Sequence, residues 1–177
     1  MRMAIVDVET TGGSAIYHRV IEVGVLIVED GAIVEQYEQL IYPRGPVPAF
    51  ISSITGITNA DLRGAPPFED IADELSSKLD GSVFVAHNAR FDYGFLKSEF
   101  NRSAIPFSAD CLCTVRLSRK LFPEQERHNL DTIIERWGIA VDRRHRALDD
   151  ALVLFEFLKK AERAVGKDRL DRVMASL

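Results

Sequence analysis

A nearly continuous run of Val, Ile and Leu between Arg19 and Glu29 is the feature that most constrains the fold. Such a run is typical of a β-strand that is buried on both faces. An apolar strand precedes it at Met3 to Glu9, and the turn sequence Asp30-Gly31 predicts an antiparallel return over Ala32 to Tyr42. The first third of the chain is therefore predicted to form β-structure.

The chain beyond Pro43, Pro46 and Pro48, which break the sheet, alternates between helical and strand patterns. Helices are predicted over residues 68–79, 88–101 with Asn88 as N-cap, 115–121, 130–137 and from about 147, and strands over 82–87 and near 111. This order predicts an α/β fold in which helices flank a mixed β-sheet. We expect one domain over residues 1–177, with a core of about 3–160 and a helical extension over 161–177.

The formal net charge of −5 argues against a protein that coats nucleic acid with a broad basic face. It does not exclude an enzyme that grips a chain end in a small, cation-loaded site. No stretch approaches the ~20 apolar residues of a membrane helix, and the N-terminus lacks a secretory signal. The two cysteines, Cys111 and Cys113, are expected to be reduced thiols, and we predict a cytoplasmic protein without membrane contact.

Two segments place acidic residues beside apolar structure. Asp7 and Glu9 are two residues apart in the first strand and point to the same face, which is costly unless they bind cations. Asp92 falls in the first turn of a helix that follows a strand end, a common place for active sites. Taken alone, an exposed edge strand would explain the first pair, and stabilisation of the helix dipole would explain Asp92.

A third segment begins the last long helix with two adjacent acids, and helical geometry separates them. Asp149 falls on the polar stripe with Glu156, whereas Asp150 falls on the apolar stripe with Leu154 and is predicted to point inward. The alternative is that both are helix-start acids and that His145 is an exposed loop histidine.

Taken together, four inward carboxylates from separate segments could converge on one site: Asp7, Glu9, Asp92 and Asp150. Oxygen clusters of this kind suit Mg²⁺ or Mn²⁺. Two ions about 3.5–4 Å apart can activate a water and stabilise the leaving oxygen in phosphodiester cleavage. His145, beside Asp150, is the candidate to take the proton from that water.

These residues resemble the DEDDh exonucleases, the family of the epsilon proofreading subunit of bacterial DNA polymerase III. The resemblance rests on DVETTG at 7–12, ITGIT at 54–58, HNARFD at 87–92 and HRALDD at 145–150, and it spans about residues 3–160. It implies a ribonuclease H-like fold and a 3′→5′ exonuclease that releases nucleoside 5′-monophosphates. It also implies metal ligation by the four acids and a general base at His145, and its spacing selects Asp150 over Asp149.

The same resemblance implies which residues contact the substrate: Thr10, Thr11 and Gly12, with His87, Asn88 and Phe91 from the second motif. Phe91 and Phe95 also have the spacing of a core stripe, so packing is the alternative for this aromatic pair. The basic cluster Arg143, Arg144 and Arg146 either steers the phosphate backbone or lies in a solvated loop.

The implied partner is nucleic acid, at the 3′ end of single-stranded DNA, with a DNA polymerase or repair protein as a further candidate. Little chain follows the long helix beyond a helical stretch such as Leu170 to Leu177, where polymerase subunits of the family carry a binding tail. The alternatives are an RNA-trimming exonuclease of the same fold, a non-catalytic nucleic-acid-binding module, and a phosphatase or nucleotide hydrolase. A non-catalytic module is expected to have lost an acid or the histidine, and all five are present.

Overall fold

The computed structural model describes all 177 residues and contains a five-stranded sheet in the order β3-β2-β1-β4-β5. The strands are β1 (Arg2–Thr10), β2 (Val20–Glu29), β3 (Ala32–Leu40), β4 (Val83–Ala86) and β5 (Cys111–Cys113). The central strand β1 pairs antiparallel with β2 and parallel with β4, and β5 extends the parallel side. The predicted strands and the antiparallel return are confirmed, although β3 ends two residues before Tyr42.

Helices cover both faces of this sheet, as the buried run in β2 requires. They are α1 (Ala49–Thr55), α2 (Phe68–Leu79), α3 (Arg90–Arg102), α4 (Thr114–Leu121), α5 (Leu130–Trp137), α6 (Ala147–Val165) and α7 (Lys167–Met174). Helices α2 and α3 pack on one face, and α4 to α7 pack on the other. Every residue of β2 from Val20 to Val28 is buried between these layers, so the mixed α/β architecture is confirmed.

Three local features differ from the predictions. Asn88 is not an N-cap: its backbone has a φ of 65°, and α3 begins at Arg90 without a side-chain capping bond. Asparagine tolerates this left-handed conformation, which turns the chain sharply from β4 into α3. Helix α1 was missed because the prolines around it suggest a loop, and α7 begins at Lys167 rather than Leu170. None of the helices combines the length and the apolar character that crossing a membrane requires.

Gly24 in β2 sets how closely α6 approaches the sheet. In the β1–β2 register Gly24 lies opposite Asp7, and Glu22 lies opposite Glu9. A Cβ atom at position 24 would lie 2.3 Å from the backbone nitrogen of Leu148, in the first turn of α6. Glycine in a strand interior permits such a close approach of another backbone segment. The start of α6 therefore rests on the sheet beside the two acids of β1.

Candidate active site

The C-terminal half of β1 has an open edge, because β4 pairs with β1 only at Met3 to Ile5. Asp92, in the first turn of α3, fills part of this edge: its Oδ1 accepts a hydrogen bond of 3.1 Å from the backbone N–H of Val8. The residue is 3% exposed. This bond fastens the start of α3 to β1 and holds Asp92 beside the strand that carries Asp7 and Glu9.

Asp150 reaches the same region from the first turns of α6, and it lies inward as its stripe position predicts, with 4% exposure. Its Oδ2 accepts a 3.2 Å hydrogen bond from the backbone N–H of His145 and pairs with the guanidinium of Arg144. Its Oδ1 is buried and has no hydrogen-bond partner. Asp149 instead forms a 2.9 Å ion pair with Arg143.

His145 lies at the mouth of this cluster. One potential ligand atom from each of Glu9, His145 and Asp150 lies within 4.8 Å of the others. The φ of His145 is 60°, a left-handed conformation that is uncommon outside glycine and that clusters at functional sites. Its imidazole is half-buried and makes no hydrogen bond to the protein, so both ring nitrogens are available for chemistry.

Burial and mutual repulsion dominate the electrostatics of the four carboxylates. Burial, then the charges of Asp92 and Asp150, raise the pKa of Asp7 well above its usual range. Burial and then the charge of Asp150 raise the pKa of Glu9 to about 8. Burial likewise raises the pKa of Asp92 to about 8 and raises that of Asp150, against the opposing effect of Arg144. The carboxylates therefore resist simultaneous ionisation without further positive charge.

This donor set fits a divalent cation. Carboxylate oxygens are the ligands that Mg²⁺ and Mn²⁺ prefer. The unpartnered Oδ1 of Asp150 is a buried polar atom that a cation would satisfy, and it belongs to the cluster that joins Glu9 and His145. Arg144 is the one arginine paired with these acids, and a single guanidinium leaves most of their combined charge uncompensated.

The loop after β1 contains the first group of predicted substrate contacts. Thr10 Oγ1 donates a 2.8 Å hydrogen bond to the carbonyl oxygen of Gly12, and Thr11 Oγ1 accepts one of 3.0 Å from the backbone N–H of Arg19. A Cβ atom on Gly12 would lie 2.4 Å from the ring of His18. These contacts order the segment that continues directly from Glu9, from the last residue of β1 into the loop that follows.

The second group of predicted contacts lies between β4 and α3. The Nδ1 atom of His87 lies 2.9 Å from Thr114 Oγ1, its Nε2 is buried without a partner, and burial lowers its pKa to about 4. Asn88 is exposed. The rings of Phe91 and Phe95 lie 4.8 Å apart, but Phe95 is 1% exposed whereas Phe91 is half-buried. Phe95 is therefore a core residue, whereas one side of the Phe91 ring remains accessible to solvent.

The family model described as Exonuclease matches residues 4–158, most of the chain. The chain belongs to the exonuclease family. The DNA polymerase III PolC-type of Streptococcus thermophilus (strain ATCC BAA-491 / LMD-9) is 36% identical over 176 residues, 97% of this chain and 12% of the relative. The 3′-5′ exonuclease DinG of Bacillus subtilis (strain 168) is 39% identical over 166 residues, 90% of this chain and 18% of DinG. This exonuclease chain thus spans less than a fifth of the length of these relatives.

Among solved structures, this exonuclease is similar to Exonuclease X in complex with 5′ overhanging duplex DNA. The TM-score is 0.74 at 24% sequence identity, and the match covers 97% of this chain and 99% of the other. The predicted ribonuclease H-like fold and the predicted membership among 3′-5′ exonucleases of the DEDD type are confirmed.

Glu22 of the exonuclease is a site-bordering residue that the sequence analysis missed. It is fully buried opposite Glu9, and its Oε2 accepts a 2.9 Å hydrogen bond from the backbone N–H of Ala147. The Nε of Arg146 lies 2.9 and 3.1 Å from the two carboxylate oxygens of Glu22. A glutamate inside an apolar strand, two residues before Gly24, was the available signal. Glu22 fixes the start of α6, the helix that carries Asp150.

The basic loop before α6 is held by ion pairs that the sequence did not indicate, although Arg143 stays exposed. Each arginine is held in an ion pair: Arg143 with Asp149, Arg144 with Asp131 and Asp150, and Arg146 with Glu22 and Glu38. These pairs order the segment that positions His145.

Proposed function

We propose that this exonuclease hydrolyses the terminal phosphodiester at the 3′ end of DNA and releases nucleoside 5′-monophosphates. The observation that carries the proposal is the meeting of carboxylates from β1, α3 and α6 with a free histidine at one end of the sheet. Clustered groups with strongly raised pKa values are candidates for functional chemistry. We assign metal ligation to Asp7, Glu9, Asp92 and Asp150, and the general base to His145.

Mg²⁺ or Mn²⁺, two ions per site, is the proposed cofactor. When bound, such ions would stabilise negative charge on the attacking and departing oxygens of a phosphodiester. The protein supplies fixed ligands: Asp92 is anchored by the N–H of Val8, and Asp150 by the backbone N–H of His145. Their repulsion is the driving force for binding, because cations relieve an unfavourable charge already built into the fold.

His145 is proposed to accept the proton of the attacking water at an imidazole nitrogen. The water oxygen forms a bond to the last phosphorus as the bond from that phosphorus to the 3′ oxygen breaks. The terminal nucleotide then leaves as a 5′-monophosphate. Two facts support the role of His145: its ring makes no hydrogen bond to the protein, and it lies near Glu9 and Asp150.

The terminal nucleotide is assigned to the ordered loop after β1 and to the residues before Asp92. The proposed contacts are Thr10, Thr11, Gly12, His87, Asn88 and Phe91. DNA is the proposed substrate because the similar proteins include a DNA polymerase III PolC-type, and a similar solved structure is a complex with DNA. The same relative supports a DNA polymerase or repair enzyme as a partner of residues 1–177, which we propose to act as one exonuclease domain.

The test is digestion of a 5′-labelled single-stranded DNA oligonucleotide with Mn²⁺, followed over time by gel electrophoresis. Wild-type protein should give a ladder that descends in single-nucleotide steps, and Asp150→Asn or EDTA should abolish it. Asp73→Asn is the matched control, because Asp73 is an exposed acid on α2 that makes no ion pair. It should digest like the wild type.

Each contrary result points to a different alternative. Digestion of the matching RNA but not of DNA would replace the proposal with an RNA-trimming exonuclease. Binding without digestion of either polymer would support a non-catalytic module. Release of phosphate from mononucleotides, with both polymers left intact, would support a nucleotide hydrolase.

A further inference from the structure

A cavity of about 400 Å³ lies beside the carboxylate cluster, between the start of α3 and the β5–α4 junction. Asn88, Arg90 and Tyr93 line one wall, and Cys113, Arg116 and Arg119 line the other. In the parallel pairing Ala86 lies opposite Cys113, so the cavity opens at the same end of the sheet as the cluster.

The three arginines of this cavity carry uncompensated charge. Arg90, Arg116 and Arg119 are all exposed, and none of their side chains joins an ion pair or donates a hydrogen bond. The loop arginines before α6 differ, because each is held by a carboxylate. In a chain of net charge −5, the cavity therefore concentrates positive charge that the fold does not use.

Helical geometry separates this charge from the carboxylates. Arg90 and Asp92 are two residues apart at the start of α3, which places them about 200° apart around the helix axis. Asp92 thus faces β1, while Arg90 faces the cavity. Arg116 and Arg119 are three residues apart and share one face of α4.

We propose that this cavity binds the phosphodiester backbone of the cleaved strand, upstream of the nucleotide held at the carboxylate cluster. The inference rests on the proposed function. Guanidinium groups keep their charge at all working pH values, and their planar forks match phosphate oxygens. The ends of β1 and β5 are two strand spacings apart, about 10 Å. A strand that ends at the cluster can therefore reach the arginines.

The test uses the double variant Arg116→Gln/Arg119→Gln. Its matched control is Arg63→Gln/Arg172→Gln, which makes the same charge change at two exposed arginines without ion pairs outside the cavity. Steady-state digestion is measured on single-stranded DNA of 2 and 12 nucleotides, because a dinucleotide has no phosphodiester upstream of the one that is cleaved. Binding of a labelled 12-mer is measured by fluorescence anisotropy in EDTA, which does not depend on turnover.

For the 12-mer, the cavity variant should raise KM about tenfold, leave kcat unchanged, and lower the salt dependence of binding by about 1.4 in log–log slope. Digestion of the dinucleotide should change no more in the cavity variant than in the control variant. Equal effects of the two double variants, or an equal effect of the cavity variant on the dinucleotide and the 12-mer, would overturn the proposal. An effect confined to a duplex with a three-nucleotide 3′ overhang would instead assign the cavity to the paired strand.

The two proposals fail in different ways. Wild-type protein that digests no DNA contradicts the proposed function, and the anisotropy arm still decides whether the cavity binds DNA. If the wild-type protein digests DNA and the cavity variant behaves like its control variant, only the proposed role of the cavity is contradicted.

Discussion

The protein buries two sets of carboxylates and treats their charges in opposite ways. Glu22 and Glu99, at 0% and 1% exposure, each make a two-oxygen contact with one arginine and also accept a backbone N–H. For Glu22 the arginine is Arg146 on the loop before α6, and for Glu99 it is Arg19 at the start of β2. A second arginine, Arg102, lies 3.5 Å from Glu99. Paired in this way, a buried carboxylate stabilises a contact between distant segments.

The second set lies at the end of β1, where the acids of three elements face one another and share only Arg144. Burial and repulsion raise their pKa values, and one oxygen of Asp150 has no partner at all. A sequence cannot tell the two sets apart by residue type, because both are acids in apolar segments. The distribution of partners separates them: each acid of the first set has its own arginine, whereas the acids at the end of β1 share one, and these are the acids proposed to bind metal ions.

The largest effect on activity is expected from removing the imidazole of His145, which lies beside the carboxylates at the end of β1. His145→Asn keeps a residue that tolerates the left-handed backbone, so stability should not change. Loss of the general base should lower kcat by about 10²–10⁴-fold on single-stranded DNA. Initial rates, with thermal unfolding in parallel, measure both quantities. A loss below tenfold would remove His145 from proton transfer.

The next largest effect is expected on stability, when an arginine that pairs with Glu22 or Glu99 is removed. Arg146→Ala leaves the buried Glu22 without its cation and should lower the free energy of unfolding by about 3 kcal/mol. Arg19→Ala leaves Glu99 with Arg102 alone and should lower the free energy of unfolding by less. Urea unfolding measures this change, and Arg172→Ala, at an exposed arginine without an ion pair, should shift it by less than about 0.5 kcal/mol.

Activity should distinguish these two arginine variants. Arg146→Ala should also slow digestion under conditions where the variant stays folded, because Glu22 borders Glu9 and holds the start of α6. Arg19→Ala should keep the wild-type rate. Equal rates for both folded variants would show that Glu22 does not position the site.

A smaller effect on stability is expected at Gly24, which lies in β2 between Glu22 and the start of α6. Gly24→Ala forces a methyl group against the first turn of α6 and should destabilise the protein by about 1–3 kcal/mol. It should also lower activity, since the same turn carries Asp150. Gly45→Ala is the control, because a Cβ atom there would meet nothing within 4 Å. If Gly24→Ala and Gly45→Ala give the same unfolding curves and initial rates, the close packing of α6 on Gly24 does not stabilise the protein or the site.

The sequence predicted the elements whose patterns are local. The apolar run of β2 and the helical stripe that turns Asp150 inward are consequences of periodicity, and both appear in the structure. Side-chain partners depend on the tertiary fold, whether the partners are distant in sequence, as Glu22 and Arg146 are, or only six residues apart, as Arg143 and Asp149 are. Neither the ion pairs of the basic loop nor the free arginines of the cavity could therefore be read from residue order.

A pH dependence of stability is expected without divalent cations. The folded-state pKa values of Glu9 and Asp92 are about 8, well above those of the unfolded chain near 4, so the folded protein binds more protons between these limits. Stability should therefore fall as pH rises from about 4 to about 8 and level off above. In EDTA, Tm should decrease between pH 6 and pH 8.

Divalent cations and a neutral substitution should both counter this decline. Mn²⁺ should raise Tm more at pH 8 than at pH 6, because the ligands must lose their protons to bind it. Asp7→Asn removes one of the repelling charges and should flatten the curve in EDTA, whereas Asp73→Asn should leave it unchanged. A Tm that rises between pH 6 and pH 8 in EDTA would mean that the acids at the end of β1 are already compensated. The two sets of carboxylates would then both be compensated by positive charge, and they would differ only in the positions of their partners.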